Sequence, residues 1–100
     1  MKKVNFYRLL VNLKGESVKD QETGEPLLIS KMVGNLLVGS KAQKDAIRQM
    51  DVARKIYNSD GEIELEDADL ETVKKVVGEA NMSCLARSVF DECIKVAEGK

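Results

Sequence analysis

The run Asn58-Ser59-Asp60-Gly61-Glu62-Ile63-Glu64-Leu65-Glu66-Asp67 brings many oxygen ligands close together and approaches the pattern of a calcium-binding EF-hand loop. With Gly61 as the sixth loop residue, where the backbone turns sharply, Asn58 and Asp60 become the third and fifth, Ile63 the eighth and Asp67 the twelfth. The first position then falls on Ile56, which offers a cation nothing, and Asp67 is one methylene shorter than the usual bidentate Glu. A degenerate EF-hand-like module at 56–67 therefore stays only as an alternative. The simpler reading is a turn between a helix and a strand, with Gly61 supplying an unusual backbone angle.

Other chemistry is sparser. The chain has no histidine, so the commonest general base and transition-metal ligand are missing and Ser-His or Cys-His catalysis is excluded. Glu62, Glu64 and Glu66 alternate along an extended segment and share one face, but nothing apolar lies beside them to raise a pKa. They read as a solvated strand edge whose charges deter edge-to-edge pairing. Gly34 and Gly39 lack the Gly-Lys-Ser/Thr ending of a phosphate loop.

The two cysteines stand nine residues apart on an expected helix, two and a half turns, so they point to opposite sides and cannot bridge each other. Cys93 falls in an apolar stripe and reads as core. Cys84 falls among Ser88, Asp91 and Lys95 near the helix start, where a thiolate gains some stabilisation, and is the candidate reactive thiol. No base partner for it is identifiable. Lys41, Lys44, Arg48 and Lys55 recur at steps of three, four and seven, a basic face suited to meeting phosphate or a protein surface. They lack interleaved aromatic or base-reading amide side chains, so a solvated face outweighs nucleic-acid binding.

The elements that must position these residues belong to one domain. A chain of 100 residues with 43% hydrophobic and 33% charged residues can bury a core without metal or disulfide. No apolar run is long enough to cross a bilayer, and Met1-Lys2-Lys3 leads into no signal-peptide pattern, so the expected compartment is the cytoplasm. The net charge of -1 argues against a strong nonspecific grip on nucleic acid or anionic lipid.

Residues 3–13 read as a strand, with Val4, Phe6 and Leu10 on one face and Tyr7, Leu9, Val11 and Leu13 on the other, both expected to be at least partly covered. A hairpin follows around 18–29, its tip at Asp20-Gln21-Glu22-Thr23-Gly24. Helices are expected at about 30–38, 41–57, 67–79 and 82–97, with a short strand at 62–65 between the second and third. Ser40, Asp67 and Asn81 are the expected caps. The second helix is expected to turn Ala42, Ala46, Ile47, Met50, Ala53, Ile56 and Tyr57 inward. The fourth is expected to bury a stripe of Met82, Leu85, Ala86, Val89, Phe90, Cys93, Val96 and Ala97. The fold class is thus α+β, a small antiparallel sheet covered by three or four helices.

The apolar first strand, the segment Met32-Val33-Gly34-Asn35-Leu36-Leu37 and the run from Gly61 to Leu70 together resemble small proteins encoded in tailed-phage and prophage gene clusters. The resemblance brings no activity or functional residues with it and implies a context of assembly or regulation. The function expected on all of these grounds is noncatalytic protein binding, with self-association as one form of it and with no cofactor. Calcium binding at 56–67 and weak nucleic-acid binding through Lys41, Lys44, Arg48 and Lys55 are the alternatives.

Overall fold

A computed structural model describes residues 2–99. The chain runs β1 (Lys2–Val4), α1 (Ile29–Gly39), α2 (Ala46–Tyr57), β2 (Ile63–Leu65), α3 (Asp67–Glu79) and α4 (Cys84–Glu98). The fold is α+β, with β1 and β2 antiparallel in the register Lys2 to Leu65, Lys3 to Glu64 and Val4 to Ile63. The alternation expected around 62–65 holds: Leu65 is buried and Ile63 half-buried, while Glu62, Glu64 and Glu66 are exposed.

The regular ladder of the expected 3–13 strand stops at Val4. The Asn5 side chain accepts the Tyr7 N–H at 2.9 Å and the Arg8 N–H turns back to the Phe6 carbonyl at 2.8 Å, a local bond that competes with the ladder and bends the chain. Beyond the bend, segments 8–12, 16–20 and 25–29 are joined by single bridges, Leu9 to Leu28, Val11 to Ser17 and Lys19 to Pro26. Three of their bonds close a ring. The Leu10 N–H donates to the Leu27 carbonyl (3.1 Å), Leu27 N–H to the Val18 carbonyl (2.8 Å), and Val18 N–H to the Leu10 carbonyl (2.8 Å).

The turns are built by side chains that mimic backbone. Asn12 Oδ1 accepts from Lys14 and Glu16, and Asp20 Oδ1 accepts from Glu22 and Thr23. Each turn is completed by a glycine in the left-handed region, Gly15 at φ 85° and Gly24 at φ 73°. The hairpin tip thus lies where the sequence put it.

Helix α2 starts five residues later than the expected 41, because Asp45 is the cap: its carboxylate accepts from the Ile47 and Arg48 amides at 3.1 and 3.2 Å. Ser40 instead turns its hydroxyl back to the Leu37 carbonyl. Buried Gln49 secures the intervening loop. Its Oε1 accepts the Gln43 N–H, and its Nε2 donates to the Leu37 carbonyl, both at 3.0 Å. The inner face of α2 is accordingly Gln49, Val52, Ala53 and Ile56, whereas Ala42, Ala46, Ile47 and Tyr57 are exposed.

Helix α3 begins one residue after its cap Glu66, so Asp67 sits in the first turn with Asp69, where the helix dipole favours both. Its large apolar side chains, Leu70, Val73, Val76 and Val77, stand at helical spacing and are all buried. Helix α4 is capped by Ser83, which accepts the Ala86 N–H, in place of Asn81. Val96 is exposed and Ile94 takes its place inside. The core joins Val4, Phe6 and Leu10 to the inner faces of all four helices, and the Phe6 ring stacks on Phe90 with centroids 5.6 Å apart.

Candidate interaction surface

The alternation of residues 7–13 divides the segment cleanly. Leu10 is buried, but Tyr7, Leu9 and Val11 remain 46%, 46% and 40% exposed, and Leu13 at the turn tip is fully exposed. The expected partial cover is thus found at Tyr7, Leu9 and Val11 and fails at Leu13, while Phe6 and Leu10 on the opposite side join the helices in the core. Single exposed apolar residues are ordinary; several side by side on one face mark an interaction surface. Tyr7 and Leu9 adjoin Pro26 and Leu28 around a shallow depression of about 640 Å³ that Arg8 and Glu25 also line. The period-two pattern of the sequence did contain this face. What it lacked was any sign of how many helices would be left over to cover it.

The backbone there is open as well. Along 8–12 every cross-segment bond uses an even-numbered residue: Arg8 accepts from Ile29, Leu10 donates to Leu27 and accepts from Val18, and Asn12 donates to Glu16. Among the described residues, no hydrogen bond engages the N–H or the C=O of Leu9 or Val11. The segment therefore presents one paired edge and one free edge.

The basic residues singled out in the sequence do not form a helical stripe. Lys41 and Lys44 lie in the loop before α2. Arg48 is turned to α3, where it forks onto Asp69 at 2.7 and 3.0 Å and reaches Glu66 at 2.7 Å; these partners hold its guanidinium even more firmly protonated than usual. Lys55 Nζ donates to the Glu64 carbonyl, tying α2 to β2. Two of the four cations thus serve tertiary structure. A cavity of about 500 Å³ between α2 and α3 includes Lys44 and Lys75, but Asp45, Asp69 and Glu71 line it too, so it carries no clear sign of charge.

In the 56–67 loop, Ile56 is fully buried. Asn58 closes α2 by donating to the Arg54 carbonyl, and Ser59 donates to the Ile56 carbonyl. Gly61 does not adopt the positive φ expected of it. The described residues contain no group of three or more Cys, Asp or Glu placed to hold a metal ion. Cys84 opens α4 and is exposed, while Cys93 is buried, as their spacing implied. Burial pushes the Cys93 thiol above its ordinary pKa.

No helix is long and apolar enough to cross a membrane among the described residues. Comparisons with family models, with curated proteins and with solved structures find no match.

Proposed function

We propose that this chain is a noncatalytic protein-binding module that engages its partner through the Tyr7, Leu9, Val11 and Leu13 surface. The observation that carries this reading is the coincidence, on one segment, of exposed apolar side chains with unpaired backbone donors and acceptors. Apolar contact supplies binding free energy and backbone pairing supplies orientation, the two components of strand-addition recognition. An assembly or regulatory role, of the kind implied by the resemblance to phage-encoded proteins, is served by such a surface. A cytoplasmic location belongs to the same proposal. It is supported by the exposed Cys84 thiol, which an oxidising compartment would leave open to mixed disulfides.

The test places a photo-crosslinking side chain at position 13, with position 47 as control, since Ile47 is also exposed but stands on α2. The expected result is a defined protein adduct from position 13 that position 47 does not give and that Leu9→Asp abolishes. Equal yields from the two positions, or adducts indifferent to Leu9→Asp, would remove the reading.

A further inference from the structure

The free edge identifies a partner for this surface, an identification that rests on the proposed protein-binding function. We infer that the partner is a second copy of the chain, with the 9–11 edges of two copies pairing antiparallel about a two-fold axis through Leu10. In an antiparallel ladder, residues whose N–H and C=O point outward form the hydrogen-bonded pairs. Those residues here are Leu9 and Val11. An axis at Leu10 sets Leu9 opposite Val11 of the second copy and Val11 opposite its Leu9, so that every free donor and acceptor on both edges is used.

Neighbouring registers fail on specific groups. An axis through Leu9 would oppose Val11 to Tyr7 and require the Tyr7 N–H, which the Asn5 side chain already takes at 2.9 Å. An axis through Val11 would oppose Leu9 to Leu13 of the other copy, which lies in the turn that Asn12 closes and not on the extended edge. The Leu10 register instead sets Arg8 opposite Asn12 and brings Tyr7 towards Leu13, leaving each exposed apolar side chain beside another. The ribbon is short, bounded by the bend at Tyr7 and the turn at Asn12, and so falls well below the area of a standard interface. The pairing is consequently a weak, concentration-dependent one.

Sedimentation equilibrium of the wild-type chain from about 10 μM to about 1 mM covers the range in which weak pairing populates. The average mass is expected to climb from 11.1 kDa towards twice that value. Two double variants, Leu9→Lys with Val11→Lys and Leu9→Glu with Val11→Glu, each project like charges across the ladder. Each alone is expected to stay monomeric, while their mixture forms a heterodimer. Should either variant fail to fold by circular dichroism, amide exchange on the wild type decides. The Leu9 and Val11 amides must slow at least several-fold between the lowest and highest concentration while that of Leu10, already bonded, does not. A constant mass of 11.1 kDa, or association that survives both double variants, overturns the inference. A monomeric wild type that still yields the position-13 adduct with a different protein would remove self-pairing and leave the protein-binding reading intact. Loss of both would remove both.

Discussion

Gly34 of α1 faces α2, and a Cβ built there would lie 2.8 Å from Tyr57 Cβ and 3.3 Å from the Ala53 carbonyl oxygen. Neither atom is the free end of a flexible side chain, so the helices themselves would have to separate. Overpacking of this kind costs about 1–3 kcal/mol, against a gain of about 1 kcal/mol from replacing a helical glycine by alanine. Gly34→Ala is therefore expected to lower the urea midpoint. Gly39→Ala, with no atom within 4 Å of the new methyl, is expected to raise it. The thiols make a second pair of opposites. In native protein a thiol dye should label exposed Cys84 and spare Cys93, which is 2% exposed. The raised Cys93 pKa means that the native state holds its proton at a pH where the unfolded thiol, near 8.5, has lost it. Its contribution is complete below that unfolded value and is lost as pH rises towards the folded one. Stability should thus decline above about pH 8.5 more steeply in the wild type than in Cys93→Ala, as read from denaturant midpoints at several pH values.

At the scale of elements, the helix whose phase was misread is one that turns a hydrogen-bonding amide inside. Apolar spacing located α3 and its inner face because Leu70, Val73, Val76 and Val77 are the only large apolar side chains it has. In α2 the same reasoning chose Ile47 and Met50, whereas the helix is rotated to bury Gln49, whose amide bonds the loop that precedes it. A hydrophobic pattern cannot register a side chain buried for its hydrogen bonds, and it counts exposed Ile47 as core. The basic stripe failed for a related reason, since Lys41 and Lys44 lie on a face only if the helix extends to them. Competition between Ser40 and Asp45 for the cap decides that, and Asp45 prevails. Asp45→Ala should cost about 1 kcal/mol, visible as a drop of several degrees in melting temperature. Asp45→Asn, which keeps the acceptor, should cost much less.

For the whole molecule, a Cα radius of gyration of 13.0 Å matches that of a well-packed 100-residue domain, even though among the described residues the β1–β2 ladder has three residue pairs. The stack of Phe6 on Phe90 fastens the segment after β1 to α4 and is accompanied by the Arg8 to Glu92 ion pair at 3.0 Å. Phe6→Ala removes one ring of that stack from a fully buried site and is expected to cost about 3–5 kcal/mol. Against a typical total of about 5–15 kcal/mol, that should lower the melting temperature by well over ten degrees. A loss below about 1 kcal/mol would mean that the stack does not hold this segment to α4. The fold class was legible because alternation and helical spacing occupy separate stretches of the chain. The free edge was not, because it depends on which segments spend their backbone groups on each other.

The β1–β2 pairing also has a consequence for biosynthesis. Val4 pairs with Ile63, about sixty residues further on, and Phe6 meets Phe90 later still. At about 5–20 residues per second, the ribosome keeps β1 waiting roughly 3–12 s for its partner strand. Through that interval Val4, Phe6 and Leu10, destined for the core, stand in water beside Tyr7, Leu9 and Val11, so the nascent chain is adhesive on both faces of one segment. The local ring through Leu10, Val18 and Leu27 needs only the first thirty or so residues and can close first, shielding part of that segment before any helix beyond α1 exists.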